Sequence, residues 1–277
     1  MYKRKSDHTL TQNALRLALK KEKPLQLLGV INPYIALMAQ RMGYSALYLS
    51  GAGVANYSHG IPDVGLTTLG NVLEDAMRIT SRVTLPLMVD IDTGWQIQET
   101  IHSMIDIGVA GVQIEDQTKV KRCGHLPGKT VVSIEEMTDR IKRAKNDKIV
   151  LIARTDSYSL EGIDGVIKRG IAYKEAGAEI FFPEALPDLN SFEKVKEAVN
   201  LPILANLTEF GQTPLYTLAD LKKSNIDIAL YPLSCARAMN KAAETVMREI
   251  KEKGETAHLL GKMQTRDELY DYLDYEY

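Results

Sequence analysis

Eight short runs of apolar residues punctuate the chain, at 27–31, 46–50, 85–92, 111–116, 149–156, 178–185, 202–208 and 228–233. Each is nearly continuous in Val, Ile, Leu, Ala or Met rather than alternating, the pattern of a parallel strand covered on both faces. Between them lie stretches with helical spacing: 69–82, 133–145, 162–176, 189–198 and 234–253. The second opens on Ser133-Ile-Glu-Glu136, a capping-box pattern. Alternation of strand and helix predicts right-handed βαβ units and a parallel sheet. Eight such units are what a closed (β/α)8 TIM-type barrel requires, with an open doubly wound sheet as the alternative. One α/β domain over 1–277 is the simplest organisation, with 254–277 a C-terminal helical extension.

Composition agrees with one ordinary globular domain. The 277 residues are 45% hydrophobic and 25% charged, enough to build a large core. A net charge of −2 gives no basic surplus for nucleic acid and no acidic excess for disorder. Two cysteines, Cys123 and Cys235, cannot form a disulfide framework for so long a chain, which fits a reducing cytoplasm. MYKRKSDHTLTQ carries charges but no apolar stretch behind them, unlike a secretory signal, and no run is long enough to span a membrane.

In a barrel, chemistry sits at the C-terminal ends of the strands. The second run ends in Ser50-Gly51-Ala52 and leads to a loop with Asp63; the third ends in Asp90-Ile-Asp92; the fourth in Glu115. The fifth ends in Arg154, the sixth in Glu184, the seventh in Asn206-Leu207-Thr208, and the eighth leads to Arg237. An acid at a strand end is often no more than a helix cap. Caps do not readily account for Asp90, Asp92 and Glu115 on neighbouring strands at one mouth, since crowded carboxylates stay ionised only beside a cation or basic groups. Alternation along a strand predicts that Asp90 and Asp92 share one face. An all-oxygen set suits a hard cation, Mg2+ with Mn2+ as a substitute, and no His/Cys cluster has zinc spacing.

The loop at 117–133 is long for a βα connection, polar and basic, and has the character of an active-site lid. Within it Cys123 lies among Lys121, Arg122 and His125, a setting that favours thiolate. An isolated loop cysteine is usually incidental; one in a basic lid above an acidic mouth reads as functional.

Lys121-Arg-Cys-Gly-His125 resembles the signature of the isocitrate lyase and methylisocitrate lyase enzymes of the phosphoenolpyruvate mutase superfamily. Gln113-Ile-Glu-Asp-Gln117, Tyr48-Leu-Ser-Gly51, Val89-Asp-Ile-Asp92, Ala153-Arg-Thr-Asp156, Phe182-Pro-Glu-Ala185, Ala205-Asn-Leu-Thr-Glu-Phe210 and Met263-Gln-Thr-Arg266 are similar to that family as well. The short chain and the Lys-Arg-Cys-Gly-His form are closer to the methylisocitrate branch. The resemblance implies Mg2+ at Asp90, with Asp63, Asp92 and Glu115 around it. It implies a 2-oxo-acid subsite at Ser50, Gly51 and Ala52, and substrate contacts at Gly124, Arg154 and Glu184. A succinate-like half is held by Asn206, Leu207, Thr208, Arg237 and Arg266. Cys123 becomes the acid/base, with Arg122 and His125 beside it, and Phe182 and Leu233 accommodate a methyl group. The activity implied is retro-aldol cleavage of 2-methylisocitrate to pyruvate and succinate in propionate catabolism, by a homotetramer. Isocitrate lyase, another superfamily lyase or decarboxylase, and a non-catalytic metabolite-binding barrel remain the alternatives. Two departures stand out: Thr93-Gly-Trp-Gln96 replaces a longer Gly-rich stretch after Asp92, and the chain stops at Tyr277 where relatives often continue in an exchanged helix.

Overall fold

A computed structural model describes residues 11–118, 122, 124 and 128–275. Among these, eight parallel strands lie in the order β6-β5-β4-β3-β2-β1-β8-β7: β1 (Leu25–Gly29), β2 (Ala46–Leu49), β3 (Leu87–Asp90), β4 (Gly111–Glu115), β5 (Val150–Thr155), β6 (Ile180–Pro183), β7 (Leu204–Asn206) and β8 (Ile228–Tyr231). The two ends of that order meet through a parallel bridge, Phe181 opposite Ile203, and the Phe181 amide donates to the Pro202 carbonyl at 2.9 Å. The sheet is therefore a nearly closed barrel, the (β/α)8 architecture expected from the eight apolar runs. Every observed strand falls within its run apart from β1, which starts two residues before Leu27.

Helices fill the connections: α1 (Thr11–Lys21), α2 (Pro33–Arg41), α3 (Gly51–Gly53), α4 (Leu69–Thr80), α5 (Ile97–Asp106), α6 (Ile134–Ala144), α7 (Tyr158–Ala176), α8 (Leu189–Val199), α9 (Leu218–Lys223), α10 (Ser234–Lys253) and α11 (Arg266–Tyr272). Ser133 caps α6 by accepting from the Glu136 amide at 3.2 Å, while the Glu136 carboxylate turns to Arg140 at 2.7 Å instead of closing the box. Thr68 and Thr217 make the complete reciprocal box at α4 and α9.

Two apolar layers result. Outward-facing residues such as Leu47, Val89, Val112 and Leu151 pack beneath the helices. Inward-facing residues, among them Leu27, Met88, Ile152, Ile180, Leu204 and Ile228, fill the barrel itself. Helix α1 stoppers its lower end. Leu15 is completely buried with the interior set, and Arg16 pairs with Glu179 at 2.9 Å beside the start of β6. Truncating a side chain so placed costs about 2–5 kcal/mol. With floor and interior packed, the polar strand ends at the opposite mouth are left to carry chemistry.

Candidate active site

At that mouth a cavity of about 680 Å³ is lined by Ser50, Ala52, Asp63, Asp90, Arg122, Gly124, Arg154, Glu184, Asn206, Thr208 and Arg237, with Tyr48, Phe182, Leu230 and Leu233 supplying apolar wall. The ends of β2, β3, β5, β6, β7 and β8, with the loops beyond them and the start of α10, thus deliver most of the side chains singled out from the sequence to one space.

Asp90 ends β3, and three donors hold its carboxylate. The Asp92 amide donates at 3.0 Å and the Gln113 side-chain amide at 3.1 Å to Oδ1, and the Gly51 amide donates to Oδ2 at 3.3 Å. Asp92 is not a further residue of the strand, as alternation predicted. The ladder stops at Asp90, and Asp92 sits in a turn with φ 48°, where the Gly94 amide donates to the Ile91 carbonyl at 2.8 Å. The turn nevertheless returns the second carboxylate to the first. A methyl placed on Gly51 would lie 3.1 Å from Asp92 Oδ1 and 3.2 Å from Asp90 Oδ2, so both acids converge on one point. Thr67 donates to Asp92 Oδ2 at 3.4 Å, and the Trp95 indole donates to the Thr67 carbonyl at 3.2 Å. Trp95 packs against the helix-side core, stitching the short loop after Asp92 to the 60s segment.

Glu115 is fully buried at the end of β4 and stands 3.6 Å from Arg154 Nε. Asp63 lines the cavity from the loop before α4. Among the described residues no three His, Cys, Asp or Glu side chains form a ready-made ligand set. The acid pair Asp90 and Asp92 is the convergent element.

Arg154 is the electrostatic centre of the other wall. Nε and Nη2 donate to the two carboxylate oxygens of Asp156 at 2.9 and 3.0 Å, Glu184 Oε2 stands 3.4 Å from Nη2, and the Phe182 ring lies 5.2 Å beneath. Burial alone would lower the Arg154 pKa, but Asp156, Glu115 and Glu184 outweigh it and hold it well above its ordinary value. Glu184 also accepts from Asn206 Nδ2 at 3.2 Å and from the Ala185 amide at 2.9 Å.

The loop after β4 reaches this wall. Gln117 pairs with Val131 across an antiparallel bridge, and its side chain brackets Arg122 by accepting from the Arg122 amide and donating to its carbonyl. Gly124 then lies directly on the arginine platform. A methyl there would fall 2.5 Å from Arg154 Nη2, 2.6 Å from Glu184 Cγ and 2.8 Å from Asp156 Oδ1. The buried Lys129 ammonium donates to the Gly124 carbonyl and stands 3.6 Å from Asp156. Cys123, the expected acid/base, and His125, expected beside it, lie outside the described residues, as does Lys121.

The remaining candidates separate. Arg237, in the first turn of α10, lines the cavity and stands 3.6 Å from Glu209. Leu207 is buried, with its amide donating to the Leu230 carbonyl at 2.8 Å, and contributes backbone rather than lining. Arg266 opens the exposed helix α11, which packs on α2 through Arg41 and Asp271, and it is not among the residues lining the cavity. The sequence reading gave no role to Tyr48, Gln113, Asp156 or Lys129. The first three sit two residues before or after Ser50, Glu115 and Arg154, and that spacing puts them on the same strand face.

A barrel whose mouth pairs acids with buried arginine defines an α/β enzyme class. The chain belongs to the phosphoenolpyruvate phosphomutase family, whose model matches residues 15–251. It is 52% identical to a 2-methylisocitrate lyase of Vibrio cholerae over 94% of this chain and 89% of that protein. It is 50% identical to the 2-methylisocitrate lyase of Escherichia coli over 95% and 92%. Among solved structures, 2,3-dimethylmalate lyase superposes with a TM-score of 0.87 at 31% identity, covering 95% of this chain and 92% of the other.

Proposed function

We propose that this chain is a divalent-metal-dependent carbon–carbon lyase that cleaves 2-methylisocitrate to pyruvate and succinate, in propionate catabolism by the methylcitrate cycle. One observation carries the reading: Asp90, paired with Asp92 beside Gly51, and three arginines, Arg122, Arg154 and Arg237, meet at one cavity with ample room for a tricarboxylate. The half-identical relatives that bear this name support it.

The Asp90–Asp92 pair fits a hard cation. Two carboxylates that close tightly on the bare Gly51 backbone suit a small ion that keeps waters and substrate oxygens in its shell. Asp90 and Asp92 would hold Mg2+, with Mn2+ as a substitute and Asp63 and Glu115 around it through water. When bound, the ion polarises the carbonyl of the forming 2-oxo acid.

The protein's own groups do the rest. Ser50, Gly51 and Ala52 bind the 2-oxo-acid half. Arg237, Asn206, Thr208 and the Leu207 backbone hold the succinate half and stabilise negative charge on it as the bond breaks. Arg266, exposed at the start of α11, is assigned to the same half. A general base takes the substrate hydroxyl proton, the electron pair of the broken C–C bond goes to the succinate carbon, and the Cys123 thiol donates a proton there, with Arg122 and His125 beside it. Phe182 and Leu233 form the wall for the methyl group. Residues 117–133 act as the lid that excludes water, seated by Gly124 on Arg154. The assembly is a homotetramer in the cytoplasm.

A coupled assay tests this. Purified protein with Mg2+ should release pyruvate from 2-methylisocitrate far faster than glyoxylate from isocitrate. Glyoxylate as the faster product, or no product from either, overturns the reading.

A further inference from the structure

Tyr48, Gln113 and Asp90 form a buried chain of hydrogen bonds from the cavity wall to the acid pair. The Tyr48 hydroxyl is paired with Gln113 Oε1, and Gln113 Nε2 donates to Asp90 Oδ1 at 3.1 Å. Tyr48 and Gln113 are 2% and 0% exposed, so neither bond competes with bulk water. The direction of the chain follows from the chemistry of its end. An ionised carboxylate only accepts, so the Gln113 amide must turn its NH2 to Asp90 and its oxygen to Tyr48. The amide oxygen also only accepts, so the Tyr48 hydroxyl must give its one proton to Gln113. The phenol proton is therefore committed to Gln113, and the cavity that Tyr48 lines meets the acceptor side of its oxygen.

We propose that Gln113 is a positioning residue that locks the Tyr48 hydroxyl as a hydrogen-bond acceptor toward the cavity, selecting substrates whose hydroxyl donates there. This rests on the lyase reading for the identity of the substrate, a 2-hydroxy acid whose hydroxyl must shed its proton for cleavage. Asp90 thereby also sets the polarity of the tyrosine on the neighbouring strand β2.

Two arms test this and fail separately. The first needs no substrate. The Raman difference spectrum between the protein and its Tyr48→Phe variant isolates the Tyr48 ring, whose Fermi doublet distinguishes a donating from an accepting phenol. It should show a strong donor, and in Gln113→Met that signature should be lost. A doublet unchanged by Gln113→Met overturns the proposal whatever the protein catalyses. The second arm is kinetic. Gln113→Met should lower kcat on 2-methylisocitrate by about tenfold, the order of one lost hydrogen bond, with KM within about twofold. In a Tyr48→Phe background the same change should cost less than about twofold, because the group it positions is gone. Equal losses in both backgrounds overturn the proposal. A donor signature in a protein that cleaves nothing would leave the polarity of Tyr48 standing and refute the lyase assignment alone.

Discussion

Asp156 takes both arms of the Arg154 guanidinium, at 2.9 and 3.0 Å, with both side chains buried. A paired fork of this kind is strong only while both partners are present, since either one alone is a buried charge without its closest compensation. Asp156→Ala is expected to lower unfolding stability by about 3–5 kcal/mol. Asp156→Asn, which keeps one acceptor, should cost about 1–3 kcal/mol. Urea denaturation measures both, and equal stabilities for the wild type and Asp156→Ala would contradict the assignment of Arg154 as held chiefly by Asp156.

Gly124 admits no side chain, because the nearest atoms of Arg154, Glu184 and Asp156 stand 2.5–2.8 Å from where a methyl would be. All three are buried at the ends of β5 and β6 and held by their ion pairs with one another, so the loop must lift. Gly124→Ala should raise KM and lower kcat/KM by at least about tenfold, since a displacement of this size spoils alignment at a reacting centre. The melting temperature should stay within about 2 °C, since the strain falls on a connecting loop and not on the packed barrel core. Steady-state kinetics beside a thermal melt separates this from general destabilisation.

The acid pair converging beside Gly51 makes a calorimetric prediction that is independent of turnover. Mg2+ should raise the melting temperature of the EDTA-treated protein in a concentration-dependent way, because a ligand that binds only the folded state stabilises it by mass action. Asp90→Asn should abolish that shift. Activity should vanish with EDTA and return with Mg2+. An identical Mg2+-induced shift in wild type and Asp90→Asn would place the ion elsewhere.

Helix α7 is tied to the lid stem by Arg169, which donates to Glu161, to the Val132 carbonyl and to the fully buried Asp116. The hydrogen bond from Arg169 holds the Glu161 pKa below its ordinary 4.5. A depressed folded-state pKa contributes stability that is present above the unfolded value and lost as pH falls through the folded one. Glu161→Gln should therefore be less stable than the wild type at neutral pH, with the gap closing as pH falls below about 4.5. Thermal melts from neutral pH down to 3 check it; a gap that widened on acidification would reverse the sign. Asp116 behaves oppositely: burial and the neighbouring Asp156 raise its pKa, so its contribution fades as pH rises.

The barrel was legible because its strands are buried on both faces, which leaves an unbroken apolar run such as 149–156 where an amphipathic strand would leave alternation. The arginine and acid positions at strand ends were legible for the same reason, since a charge stands out at the end of such a run. The placement of Asp92 was not. Periodicity describes a continuing strand, and only the φ of 48° there shows that the chain has already turned. Helices α1 and α2 escaped notice too. The first spends its burial on Leu15 and Ala18 alone, too few positions for a clear stripe. The Gln113–Asp90 contact and the seat of Gly124 on Arg154 join positions 23 and 30 residues apart, and no local pattern records such meetings.

Leu15 and its neighbours have a kinetic corollary. With helix α1 corking the lower end and side chains packed through the lumen, traffic runs through the opposite mouth. Two fragments born from one parent must queue: whichever half sits nearer the entrance departs first, and the deeper one follows. Release is then sequential by architecture, and product-inhibition patterns for the two acids should differ accordingly, one competing with the incoming parent molecule and the other not.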